Sequence, residues 1–391
     1  MNRRIGVWVF VCLFFLMAAG PARAGEVAEA LTNFEAAKVV IGQADFTHGD
    51  CDQGGNPAAN SLCGPEGPAA EGKSNKVLYV PDADNNRVLG FHKIPKKNDA
   101  SAKFVLGQTN FSNSGNGTSK TSFEFPTGVA TSGNRLFVVE FDNSRVLIWN
   151  HLPTKTDTPA DVVVGQPNFN TKTPATTQSG LDLPESGLFV THGKLIVSDR
   201  NNNRVMIWNH IPTTNGANAD VVLGQPDFTS NLSATTQTGM GEPEGLWSDG
   251  TKLAVADFDN NRVLIWNSFP TSNGAPADVV VGQPDFTSAD SAEPPNAQSL
   301  LEPGGVASDG TSLFVADSRN NRILVFTPFP TSNNPTASVV LGEPDFIHSD
   351  GNGGSLTPTA TGLSFPFGLT IIGSKLVVND NGNSRYLIFG L

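Results

Sequence analysis

Val255-Ala-Asp-Phe-Asp-Asn-Asn-Arg-Val-Leu-Ile-Trp266 is the stretch on which the reading of this chain turns. Two apolar runs flank a polar hexad, Asp257-x-x-Asn260-x-Arg262, the pattern of two strands joined by a tight turn. The same hexad, with an acid first, recurs as Asp82/Arg87, Glu140/Arg145, Asp199/Arg204, Asp317/Arg322 and Asp380/Arg385. Successive arginines stand 58, 59, 58, 60 and 63 residues apart. A second phrase, Val-Val-x-Gly-Gln-x-Asp/Asn-Phe, keeps the same beat, with glycines at Gly42, Gly107, Gly165, Gly224, Gly282 and Gly342. Six copies of two phrases define a repeat of about 59 residues.

Each unit reads as four strands. Strand a begins near a Pro-x-Gly (Pro126, Pro243, Pro303, Pro366), and strand b is a run such as Lys252-Leu-Ala-Val-Ala-Asp257. Strand c is Arg262-Val-Leu-Ile-Trp266, and strand d is Asp278-Val-Val-Val-Gly-Gln283. Strand c is apolar on both faces, as in a sheet packed between neighbours. Small four-stranded sheets stacked face to face make a propeller. The chain opens on a lone strand d (Val39-Val-Ile-Gly-Gln43) and ends on a lone strand c (Tyr386-Leu-Ile-Phe389). The expected fold is therefore all-β. It is a six-bladed β-propeller of four-stranded antiparallel blades, its ring closed by the N-terminal strand joining the last blade.

The hexads with their flanking strands resemble NHL repeats, which build six-bladed propellers. The Gly-Gln-Pro-Asp-Phe phrase resembles those of exported bacterial NHL proteins. The resemblance implies a single propeller domain over 25–391. It does not choose a function, since such propellers include RNA binders, protein scaffolds and an amidating lyase.

Composition agrees with an all-β chain. Among 391 residues are 40 glycines and 27 prolines, while charged residues make up only 16%. The formal net charge of −12 lacks the basic footprint of nucleic-acid binding, so no nucleic-acid partner is expected. Asn2-Arg3-Arg4, the apolar run from Ile5 to Gly20 and Ala22-Arg23-Ala24 read as a signal peptide over 1–24. Export follows, to the periplasm or beyond the cell, without stable membrane insertion after cleavage. Cys51 and Cys63, the two cysteines outside the leader, then pair as a disulfide. The loop they close would stabilise the fold by roughly 3 kcal/mol on the chain-entropy account.

Strand parity puts the b–c hairpins and the long d–a loops on one face of the ring, face one, and the a–b and c–d turns on face two. The repeated acid and arginine are expected to pair across each hairpin, and Trp149, Trp208 and Trp266, with Phe91, Phe326 and Phe389, to fill the space between blades. Function is sought where the repeats differ. Around Pro-x-Gly, the middle blades carry Glu124, Asp182, Glu185, Glu242, Glu244 and Glu302. On the innermost strand these carboxylates would ring the face-one mouth and could hold calcium or magnesium. A weaker candidate is the pair of loops with His48, Asp50 and Asp52 and with His348, Asp350 and Asn352, whose Asp-x-Asp/Asn-x-Gly spacing presents oxygen ligands. The expected function is non-catalytic recognition of a protein, peptide or glycan by a monomer through face-one loops. The alternative is a metal-dependent hydrolase or lyase, resembling gluconolactonase-like propellers.

Overall fold

The computed structural model describes residues 31–391, and the leader expected at 1–24 lies outside them. Six four-stranded antiparallel sheets form. Blade 4 is representative. Strand a (Pro243–Ser248) pairs with b (Leu253–Asp257), b with c (Arg262–Trp266), and c with the three-residue d (Val279–Val281). Every residue of strands a to d in this blade is buried. The two faces of each sheet feed separate clusters with the neighbouring blades: Val263 and Ile265 pack toward blade 5, Leu264 and Trp266 toward blade 3. The last blade borrows its outer strand from the start of the chain, Val39–Ile41 lying antiparallel to Arg385–Gly390 with Val40 opposite Leu387.

The hexad is a clamp. In blade 4 the Arg262 Nε donates to Asp257 at 2.7 Å, Nη1 to Phe286 O at 2.5 Å, and Nη2 to Thr236 O and Gly239 O at 2.8 and 3.1 Å. One guanidinium thus ties its own hairpin to the d–a loop before it and the loop after it. The Phe carbonyl belongs to the Gly-Gln-x-Asp-Phe phrase, which is why the two phrases recur together. All six arginines are fully buried and repeat this pattern, with Arg87, Arg145, Arg204, Arg322 and Arg385 reaching Phe111, Phe169, Phe228, Phe346 and Phe46. The acid also accepts the backbone N–H two residues before Pro-x-Gly, as Asp257 does from Gly241. The asparagine of a tight turn readily adopts left-handed geometry, but here the residue after the motif asparagine takes that conformation, with φ between 47° and 54° from Asn86 to Ser384. The motif asparagine instead donates to the acid, Asn260 to Asp257 at 3.0 Å.

Strand a is pinched at one glycine per blade. A methyl group on Gly67 would meet Thr127 O at 1.7 Å, on Gly187 Glu244 O at 2.2 Å, and on Gly305 Phe367 O at 2.3 Å. On Gly368 it would meet Gly67 itself at 1.9 Å, which completes the circuit. Backbone meets backbone around the axis, and the inner strands approach one another most closely at this level.

Two outcomes follow. Removing the residues up to Gln43 strips blade 6 of its outer strand and exposes a sheet edge, so the truncated protein should melt lower and aggregate on gel filtration. Arg262→Lys keeps the charge but loses the fork that reaches four acceptors, and should cost roughly 3 kcal/mol or more in denaturant unfolding.

Candidate functional site

The middle residue of Pro-x-Gly sits at an irregularity of strand a. The register of a against b slips between Pro126 and Gly128, between Pro243 and Leu246, and again in blades 5 and 6. Such a bulge re-aims the side chain it carries. Around the ring this position is Glu66, Thr127, Glu185, Glu244, Gly304 and Phe367.

Three of these are glutamates, and Glu185 and Glu244 converge on one guanidinium. Arg200 Nε lies 2.8 Å from Glu185 Oε2 and 2.7 Å from Glu244 Oε1, and its Nη2 pairs with Glu242. Arg200 is the residue after the acid in the hairpin of blade 3, and its guanidinium lies 5.8 Å from the Phe258 ring centre. Ser186 Oγ donates to Glu244 Oε2 at 3.1 Å. Four acids here face one base. Burial pushes the Glu244 carboxyl well above the usual range, and the charge of Glu185 pushes further. Glu66 is raised by the same burial and by Glu185 and Asp84. Glu185 is raised by burial, with Arg200 pulling the other way. Burial and mutual repulsion thus both disfavour full ionisation of the cluster, and Arg200 opposes them.

The six nominated carboxylates do not gather as one set. Glu185, Glu242 and Glu244 meet at Arg200, which stands where a cation was expected. Glu124 instead pairs with Lys172 at 2.7 Å and accepts from Asn116, Glu302 pairs with Arg319 at 3.4 Å, and Asp182 takes a bond from Asn201. Each glutamate ahead of the proline meets the base nearest its own loop, and the backbone there is alike in all of them. The residue before the proline is left-handed (Phe125, Leu183, Glu242, Glu302, Phe365), and its N–H is bound by a hairpin side chain of the preceding blade, as Glu302 is by Asn261 Oδ1. Glu66 was missed, although Pro65-Glu-Gly67 repeats the same motif, because the cysteine loop before it disguises the start of blade 1.

In the second candidate, the nominated oxygens serve as latches. Asp52 accepts from Asn85 at 3.0 Å and from Ser61 at 2.7 Å, and Asn352 accepts from Asn383 at 2.8 Å. In blades 2 to 4, threonine hydroxyls bond the same asparagines, Thr235 to Asn260 for example. His48 and His348 pair with Asp45 and Asp345 on the exposed loop surface. Cys51 and Cys63 form the expected disulfide. They and Asp52 are the one trio of His, Cys, Asp or Glu ligand atoms within 4.8 Å of one another among the described residues, and the disulfide accounts for it.

On face two, beyond the glycine pinch, the strands splay into a funnel of about 560 Å³. Leu188, Leu246, Trp247, Val306 and Leu369 line it, with Lys73 and Lys76 at the rim. It lies on the face opposite the expected one.

No protein-family model matches the chain, and no curated protein does. Among solved structures, the chain is similar to one in a nidogen/laminin complex, at 14% identity and a TM-score of 0.40, over 70% of this chain and 82% of that one. It is also similar to the computationally designed Ika8 protein, at 10% identity and a TM-score of 0.40, over 91% and 100%. These likenesses carry no inference about activity.

The Arg200 cluster makes a signed prediction. A carboxyl whose folded pKa is raised contributes fully below the unfolded value, about 4.5 for glutamate, and loses stability as pH rises from there toward the folded value. Arg200→Gln removes the one counter-charge. Its melting temperature should fall below that of the wild type by a gap that widens from pH 4.5 to pH 8. A gap independent of pH would mean that Arg200 acts through packing alone.

Proposed function

We propose that the protein is an exported, non-catalytic binding propeller of NHL-type repeats, recognising a protein or peptide, or a glycan, through its face-one loops. The observation that carries this reading is where large apolar side chains meet water. Among the described residues, the exposed large hydrophobic ones are Leu232 at 80%, Ile347 at 58% and Leu356 at 103% of full exposure, and all three lie on d–a loops. These loops are clamped at their ends by buried arginines, so they present apolar groups without the ordering cost of a mobile segment. The Arg200 cluster supports binding over catalysis, since its carboxylates are spent on an internal counter-charge. The Cys51–Cys63 disulfide supports an oxidising compartment, periplasmic or extracellular, and no helix among the described residues is long and apolar enough to cross a membrane. A monomer is consistent with a ring whose sheet edges are closed within one chain.

A second reading, a small apolar ligand in the face-two funnel, is favoured by the apolar walls of that cavity, Leu188, Leu246, Trp247, Val306 and Leu369. One experiment separates the two. Peptide and glycan arrays are probed with wild type and with Leu232→Asp/Ile347→Asp/Leu356→Asp, whose melting temperature should be unchanged because all three sites are exposed. Binding lost in the triple variant supports the face-one reading. Binding that persists in the variant and quenches Trp247 fluorescence overturns it in favour of the funnel.

A further inference from the structure

The Gly-Gln phrase has one exception. After strand d, five blades carry glutamine, and each side-chain Nε2 donates to two backbone carbonyls. Gln43 reaches Ser384 O at 3.0 Å and Asp50 O at 2.9 Å. Gln108, Gln166, Gln225 and Gln283 reach the residues 22 before and 7 after themselves in the same way, Gln283 to Asn261 O at 3.0 Å and Asp290 O at 2.9 Å. This amide pins the left-handed hairpin residue to the d–a loop. In blade 5 the residue is Glu343. The corresponding carbonyls are those of Asn321 and Asp350.

A carboxylate cannot do the amide's work. Glu343 is fully buried, and neither of its oxygens has a hydrogen-bond partner. One orphan oxygen is common at this position, since Oε1 of Gln43 and Gln166 is also unpartnered. The second orphan is particular to Glu343, because it replaces a donor with an acceptor that faces two further acceptors. The charges around it add to the conflict. Asp350 and Asp345 lie close enough to disfavour ionisation of Glu343, and burial disfavours it more, pushing the carboxyl up to about 8. Arg322 pulls the other way, but it is already paired with Asp317 at 2.7 Å. His348 is paired with Asp345. Leaving a buried carboxylate unpaired is costly, so the site calls for a donor or a cation.

We propose that Glu343 marks a calcium site, in which a divalent ion stands where the glutamine Nε2 stands in the other five blades, held by the Glu343 carboxylate and the carbonyl oxygens of Asn321 and Asp350. The donors are all hard oxygens, two of them backbone carbonyls and the others those of a carboxylate that can bind through one or both. That suits the irregular coordination of calcium better than the strict octahedron of magnesium. The carbonyls stand about 2.9 Å from the amide nitrogen in the sibling blades, and closing to calcium distances of about 2.3–2.6 Å asks for a shift of roughly half an ångström. The ion would neutralise the carboxylate and restore the bridge between hairpin and loop. It would also hold the Asp350 loop, the more exposed of the two nominated from the spacing of their oxygens, by a different set of atoms from the one that spacing suggested.

The test uses the purified protein and Glu343→Gln, a same-shape change that restores the sibling amide. At pH 8, calcium added after a chelator should raise the wild-type melting temperature by a few degrees, and calorimetry should find one site per chain. Glu343→Gln should melt at least as high as the calcium-loaded wild type and show neither the shift nor the binding heat. Two results would overturn the proposal. One is a wild type indifferent to calcium, whose deficit against Glu343→Gln grows from pH 4.5 to pH 8, which means that a proton does the bridging. The other is a calcium response that survives in Glu343→Gln, which places the ion elsewhere.

Discussion

Everything ordered in this molecule depends on a buried acid–arginine pair repeated six times. Removing two charges from water is expensive, and the pair alone would not offset it. It persists because the guanidinium has five N–H donors in a rigid plane, and the loops supply the carbonyls to receive them. Arg262 and its siblings take three such carbonyls each, groups that would otherwise be buried and unpaired. The long d–a loops, with no regular structure of their own, are held in shape by this device. A residue type often read as a surface charge is here the innermost fastener of each blade.

The clamp also determines where the blades can differ. Its acid, asparagine and arginine, and the Phe that offers a carbonyl, are committed in every blade. Variation is left to the positions it does not use. One is the residue after the acid: Ala83, Phe141, Arg200, Phe258, Ser318 and Asn381. Another is the middle residue of Pro-x-Gly, with three glutamates, a threonine, a glycine and a phenylalanine. The ring is symmetric in its scaffold and lopsided in its chemistry. Acid and base concentrate between blades 1, 3 and 4, and aromatic rings adjoin them: Phe258 lies 5.8 Å from Arg200, and Phe367 packs about 6 Å from both Phe258 and Phe365.

Close approach of strand a to itself around the axis divides the two faces. The ring of close glycine contacts separates the charged mouth on face one from the apolar funnel on face two. The mouth sets several acids against one guanidinium. The funnel has few charged groups, two of them the rim lysines, in a protein whose net charge is −12. The two surfaces therefore favour different partners, although they lie a few residues apart along every inner strand.

The sequence by itself determined the number of blades, the four-strand unit, the closure by Val39–Ile41 and the pairing of each hairpin acid with its arginine. These follow from patterns within about 60 residues, and a repeated pattern imposes the same local structure each time it occurs. The cysteine pair was legible for the same reason, both residues lying in one loop. What the tertiary structure alone decided is which irregular residues meet. Glu66, Glu185 and Glu244 come from different blades, each follows the proline near the start of its inner strand, and they meet because the ring brings those strand starts together at the axis. Arg200 is one of six residues at its position, and only the ring makes it their counter-ion. Glu124, Asp182 and Glu302 precede the proline as Glu242 does, and only Glu242 reaches Arg200. Glu124 and Glu302 meet the bases that their own surroundings supply, Lys172 and Arg319, and which base stands beside a loop acid in the folded ring leaves no mark in the local pattern.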